Sequence, residues 1–192
     1  MNNVEHNKEL IQKYPFLRPR SVWSGEPVKD YDYTYTEWDA IPDGWKISFG
    51  DMMLEELGEE LTKAGLINEF RIDQIKEKFG ELRMYTHGGN KETEAIIDKY
   101  SHLSRNICIN CGKPDVHMTY GGWIFPCCKE CWENNKYHTS PYNDLIDADD
   151  DGRMTDQIHK KIYYANGKTE EVYIDIKDTA EKIREHWRQI HD

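Results

Sequence analysis

Apolar residues recur at helical spacing from Trp45 onward. Phe49, Met52/Met53, Leu57, Leu61 and Ala64 follow three to four residues apart, as in a helix with one buried face. Pro42-Asp43-Gly44 opens this helix and Gly65 closes it, while Gly50 and Gly58 weaken its interior. A second stripe, Ile96, Ile97, Tyr100 and Leu103, predicts a helix from about Glu92 to Ser104. A third, Ala180, Ile183, Trp187 and Ile190, follows Asp178-Thr-Ala-Glu181, which has the form of a capping box. Residues 1–13 predict a short polar helix, stopped by Pro15 and Pro19.

Other segments carry a period of two. Tyr31, Tyr33 and Tyr35 alternate with Asp32 and Thr34, which predicts a strand with three tyrosines on one face. Phe70/Ile72 and Leu82/Met84 alternate on either side of Gly80, predicting a hairpin, although a helix through Ile75 competes with it. Ile162 and Tyr164, the turn Asn166-Gly167, then Val172, Ile174 and Ile176 predict a second hairpin. The expected class is therefore α+β. Residues 1–105 form an N-terminal region, 106–135 a cysteine-bearing ribbon, 136–157 an acidic linker, and 158–192 a hairpin-helix unit. That last unit needs a cover for its apolar faces, either the N-terminal region or a second copy in a homo-oligomer.

The cysteines add chemistry to this outline. Cys108-x2-Cys111, sixteen residues, then Cys128-x2-Cys131 fits a four-thiolate zinc site. Val116, Met118 and Tyr120, the turn Gly121-Gly122, and Trp123-Ile124-Phe125 place a hairpin between the two knuckles, giving a zinc ribbon. A disulfide pairing is the alternative. Cys127 offers a competing 127/131 pair, but the 128/131 loop matches the first knuckle, which leaves Cys127 as a packed neighbour. A four-thiolate site is closed and structural, whereas catalytic zinc keeps an open position. Zinc deaminases need an H-x-E and a P-C-x-x-C, and both fail here: no histidine has a glutamate two residues on, and position 130 is glutamate. A His-Asn-His nuclease is also poorly matched, since His117 stands alone before the second knuckle.

Charge and composition narrow the function classes. The chain has 192 residues and a formal charge of −11, which opposes nonspecific nucleic-acid binding without excluding a local basic patch. With no long apolar run there is no membrane-spanning segment or ordinary signal peptide to expect, and sparse cysteines set in metal pairs suit a cytoplasm. Twelve tyrosines and six tryptophans suit either a core or a binding surface. Arg18, Arg20, Trp23, Tyr31, Tyr33, Tyr35, Lys76 and Arg83 are the candidate ligand-binding residues, because arginines with stacked aromatics suit a nucleotide or phosphate. The competing reading of the same residues is an ordinary half-exposed sheet. Asp147, Asp149, Asp151 and Gly152 match the start of a calcium loop, but its twelfth position is Ile158 instead of glutamate, and a solvated acidic turn is the better reading. There is no Walker loop, dinucleotide-binding glycine pattern, G-x-S-x-G elbow or histidine triad.

Several stretches together resemble a small family of phage and prophage zinc-ribbon proteins. They are Lys13-Tyr-Pro-Phe-Leu-Arg-Pro-Arg20 with Trp23-Ser-Gly-Glu26, Tyr31-Asp-Tyr-Thr-Tyr-Thr-Glu37, Pro42-Asp-Gly-Trp45, Gln74-Ile-Lys-Glu-Lys-Phe-Gly-Glu-Leu-Arg83, Cys108-x2-Cys111-Gly, Gly122-Trp123 and the second knuckle. The resemblance covers about residues 13–132 and leaves 133–192 unplaced. It implies no catalytic residues. The family's role is uncharacterised, and the resemblance implies a small protein carried by phage or mobile elements in a bacterial host cell. Since proteins of that kind often act by binding a host protein or a nucleotide immune signal, a non-enzymatic binding protein is the first expectation. A nucleic-acid-associated regulator is the second expectation, and an enzyme whose site assembles only in three dimensions the third.

Overall fold

The longest apolar stripe folds as one continuous helical run. Helix α2 (Asp43–Trp45), a π-helical turn (Lys46–Gly50) and α3 (Asp51–Lys63) follow one another without a break. Trp45, Phe49, Met53, Leu54, Leu57 and Leu61 are buried along it. The wider π turn shifts the stripe, so Leu54 is buried and Met52 is only partly so. Ala64 sits exposed at the C-cap, where the Leu66 amide donates back to the Leu61 carbonyl at 2.8 Å.

The computed structural model describes residues 3–21, 23–120, 124–134, 144–145, 153–163 and 167–191. Helix α1 (Asn3–Lys13) leads into a 3-10 turn at Pro15–Leu17 that drops Phe16 and Leu17 into the core. Strands β1 (Arg71–Lys78) and β2 (Glu81–His87) form the expected hairpin, with a bulge between Ile72 and Gln74. Helix α4 (Lys91–Ser104) packs on this hairpin and on α3. Asn90 caps α4, accepting from the Thr93 amide at 2.8 Å. Lys99 is buried in α4 and donates to Glu56 Oε2 of α3 at 2.6 Å, an atom that also accepts from Tyr100 Oη at 3.0 Å. Removing the lysine charge from water requires this partner.

The tyrosine strand predicted at 31–35 does not form. Asp32 Oδ1 accepts from the Thr34 amide at 3.1 Å and from its hydroxyl at 2.7 Å, a local turn that competes with any ladder. Asp30 and Tyr33 have φ of 55° and 64°, which breaks the alternation. Asn7 holds the Tyr33 carbonyl at 2.9 Å, and Asn3 the Thr34 carbonyl at 3.1 Å. A 3-10 turn at Glu37–Ala40 follows, with Asp39 accepting from the Thr36 amide.

Strands β3 (Met118–Tyr120), β4 (Ile124–Pro126) and β5 (Asp144–Leu145) form a small sheet in the order β4-β3-β5, and helix α5 (Lys129–Asn134) follows β4. The predicted Gly121-Gly122 turn and Trp123 lie outside the described residues, as do Asp147, Asp149, Asp151 and most of the 136–157 linker. Strands β6 (Gln157–Tyr163) and β7 (Thr169–Asp175) pair antiparallel, and helix α6 (Lys177–His191) ends the chain. Tyr164 and Asn166 of their turn lie outside the described residues. Helix α6 starts one residue before the expected cap: Asp175 Oδ1 accepts from the Lys177 amide at 3.0 Å, and Asp178 falls in the first turn. The N-terminal region covers this last unit. Met154, Ile158, Ile176, Ala180 and Ile183 join the same core as Trp45 and Phe49. His186 Nε2 donates to the Ile47 carbonyl at 3.0 Å.

Candidate metal centre and ligand residues

Two backbone loops converge to make the cysteine group. In the first, the Cys108 amide donates to the Lys113 carbonyl at 2.9 Å, and the Gly112 amide returns to the Cys108 carbonyl at 2.9 Å. Cys128 precedes α5, and Cys131 lies one turn into it, its amide donating to Cys128 Sγ at 3.4 Å. The Ile109 amide donates to the Pro126 carbonyl at 3.0 Å and ties the two loops together.

The sulfurs of Cys108, Cys111, Cys128 and Cys131 all lie within 4.8 Å of one another. Cys111 and Cys128 are 3.8 Å apart. Four thiolates on a tetrahedral ion at ~2.3 Å have sulfurs about 3.8 Å apart, so the donor set and its spacing fit a metal ion. All four corners are cysteine, which defines a closed site. Contacts from the Cys111, Cys127 and Cys128 thiols hold the Cys108 sulfur far below the usual thiol range, and the same contact pushes Cys111 up. Metal binding therefore displaces protons from the remaining thiols.

Cys127 stands outside this set. Its sulfur accepts from Asn110 Nδ2 at 3.5 Å and faces the Cys128 carbonyl at 3.5 Å. Contact with Cys108 and burial push its thiol up, and its sulfur is not part of the four-cysteine group. Around the group lies a second small core of Val116 and Trp132, with Phe125 stacked on Trp132 at 5.9 Å.

Contacts on two sides anchor this unit to the main body. A Cβ at Gly44 would lie 2.2 Å from the Cys108 carbonyl oxygen, so only glycine permits the approach of α2. Trp45 Nε1 donates to the Ile107 carbonyl at 2.9 Å. On the other side Arg184 of α6 grips Asp115 through Nε at 2.8 Å and NH2 at 2.9 Å. Burial raises the Asp115 carboxyl, but the hydrogen bonds from Arg184 and the Met154 amide outweigh it and hold the group below the usual carboxylate range.

The candidate ligand residues separate into two groups. Arg18 and Arg20 are half-buried at the base of the 18–36 loop, and their Nε atoms have no hydrogen-bond partner among the described residues. Arg20 donates to the Gly25 carbonyl at 3.2 Å. Trp23 stands 96% exposed in a turn closed by the Gly25 amide on the Ser21 carbonyl at 2.8 Å. The Tyr31 and Tyr33 rings meet at 4.7 Å, and Tyr31 Oη donates to the Tyr35 carbonyl. Burial pushes the Tyr31 phenol up to about 12. Lys76 and Arg83 instead lie opposite one another on the β1–β2 hairpin. A concavity of about 320 Å³ there is lined by Lys78, Phe79, Arg83, Met84 and Tyr85 and by none of the loop residues. Lys78 belongs with Lys76 and Arg83 among the basic residues near aromatic stretches, whereas Phe79 and Tyr85 were not expected there; alternation past Met84 and a bulky residue beside Gly80 were the available signals.

No family model, curated protein or solved structure matches the chain. Among the described residues no helix is long and apolar enough to cross a membrane. Fold and site together define an α+β protein carrying a four-cysteine group fit for a metal ion.

Proposed function

We propose that this chain is a zinc-stabilised, non-enzymatic binding protein of phage or prophage type. It acts in the bacterial cytoplasm by occupying a host protein or a nucleotide immune signal. Zinc suits four thiolates in a tetrahedral arrangement, and with no open corner its role is to brace the ribbon. The resemblance of residues 13–132 to phage and prophage proteins supports a host component as the target. The observation that carries a binding role is Trp23. A 96%-exposed indole on a pinned turn is a ready anchor, since tryptophan is enriched among residues that dominate interface energy. Its loop is held by Asn3 and Asn7 with two non-glycine residues at positive φ, a preorganised arrangement. Among the described residues Asp73 and His87 pair at 2.6 Å, but His87 is largely exposed and Arg71 holds the other Asp73 oxygen.

Metal analysis of the purified protein should find zinc in equal proportion to the chain. Isothermal titration against host nucleotide signals, with pulldown from host lysate in parallel, should recover a ligand whose binding falls at least tenfold in Trp23→Ala. Binding untouched by that change would move the site elsewhere. Clean negatives in both arms would remove the proposal.

A further inference from the structure

The outward face of the β1–β2 hairpin runs against the electrostatic trend of the molecule. The register places Lys76 opposite Arg83, Gln74 opposite Tyr85 and Lys78 opposite Glu81. On a chain of net charge −11, three cations therefore share one small surface. Like charges directly across a strand pair are destabilising, so the Lys76–Arg83 pairing is no aid to the hairpin. Of the three, only Arg83 has a carboxylate partner among the described residues, Glu81 at 2.7 Å.

The aromatic rings on this face are equally out of place for a purely structural hairpin. Phe79 is 73% exposed and Tyr85 47%. Phe79 and Gly80 form the two-residue turn with φ of 55° and 76°. That turn asks for Asn, Asp or Gly at its first position, and a bulky phenylalanine there is strained and gains no burial. Lys76 Nζ lies 5.1 Å from the Tyr85 ring centre, and Lys78 Nζ 5.5 Å from that of Phe79. Rings and cations thus alternate around the concavity lined by Lys78, Phe79, Arg83 and Tyr85. The surface is firmly backed. The Leu82 amide donates to Ser104 Oγ at 2.9 Å, and a Cβ at Gly80 would meet Met118 Sδ at 2.6 Å. The cysteine-bearing ribbon therefore supports the hairpin tip.

We propose that this face binds single-stranded nucleic acid. Phosphates sit against Lys76, Lys78 and Arg83, while bases stack on Phe79 and Tyr85 as the two lysines swing off the rings toward the backbone. Every base offers a flat face for such stacking, so recognition tolerates different sequences. A duplex keeps its base faces covered and leaves both rings idle. An acidic peptide uses the cations but gains nothing from exposed ring faces. The face runs about 17 Å from Gln74 to Phe79 at ~3.3 Å per residue, room for two or three nucleotides. This surface is distinct from the Trp23 turn.

The test uses the full metal-loaded chain and fluorescence anisotropy of a short labelled oligothymidylate at low salt. Binding should weaken with salt at a log–log slope of about −2, as expected for three phosphate contacts to a single strand. Phe79→Gly and Tyr85→Ala should each weaken binding about tenfold. Lys76→Glu with Lys78→Glu should abolish it, while Lys63→Glu with Lys182→Glu, the same total charge change placed on α3 and α6, should leave it within about twofold. Phe79→Gly is the decisive variant. Glycine is at home at that φ, so the thermal midpoint should hold or rise while binding falls. The proposal is overturned by no anisotropy change at low salt, or by Phe79→Gly binding like the unaltered protein. It is equally overturned by a duplex of the same sequence binding as tightly, or by polyglutamate competing as well as the oligonucleotide.

Discussion

The chain has two cores built on different principles. The main core gathers Phe16, Trp45, Phe49, Leu57, Leu61, Tyr100 and Ile183 from the Pro15–Leu17 turn, the continuous helical run through α3, α4 and α6, and is held by apolar burial. The second, around Cys108, Val116, Cys128 and Trp132, has few apolar side chains and gathers around a four-cysteine group fit for coordination. Burial is spread over many residues, so each loss is partial. Coordination is concentrated in four atoms, so each loss is total. The two cores meet where Gly44 and Trp45 rest on the first knuckle.

The largest expected effect comes from removing a ligand. Cys108→Ser or Cys131→Ser should eliminate bound metal and unfold residues 107–134, a local loss on the order of 10 kcal/mol. Hydrogen exchange read segment by segment should show α3 and α4 protected after the ribbon has opened. Simultaneous loss everywhere would mean the two cores are one cooperative unit. Next comes Trp45→Ala, which should cost about 3–5 kcal/mol in denaturant unfolding through the cavity it leaves, and it also strands the Ile107 carbonyl. Gly44→Ala tests the junction itself. A methyl group 2.2 Å from the Cys108 carbonyl forces backbone apart at a cost of about 1–3 kcal/mol, and metal retention in a chelator competition should fall with it.

The smallest effect is pH-dependent. Asp115 has its carboxyl lowered in the folded chain, so its contribution is fully present above the unfolded value near ~3.9 and is lost as pH falls through the folded value. The pair with Arg184 is partly solvent-screened, which limits that contribution to roughly 1 kcal/mol. Asp115→Asn should lower stability by that amount at neutral pH and flatten the acid limb of the stability curve below about pH 4. An unchanged acid limb would show that the contact between α6 and the ribbon carries no net stabilisation.

What could be read from the sequence followed the same division. The cysteine spacing announced its group because metal chemistry fixes donor number and loop length locally. The stripe through Leu57 and Leu61 announced α3 because one buried face leaves a period. The 31–35 segment misled because Tyr-Asp-Tyr-Thr-Tyr satisfies a strand period, while Asp32, Thr34 and the distant Asn7 decide the backbone. Nothing in the local sequence marks Lys99 as buried, since its partner Glu56 stands 43 positions earlier. The descent of Gly44 onto the knuckle leaves no trace in any local pattern, because its reason lies more than sixty residues downstream.

That same close approach has a consequence during synthesis. Gly44 and Trp45 leave the ribosome long before Cys131, and at ~5–20 residues per second the interval is roughly 4–17 s. For most of that time Trp45 has no Ile107 carbonyl to bond and no completed ribbon to lie against. The first half of the protein therefore waits, partly exposed, for a metal ion that the cysteine pairs of its second half are fit to capture, and metal supply becomes a condition on how quickly the nascent chain is safe from aggregation and proteolysis.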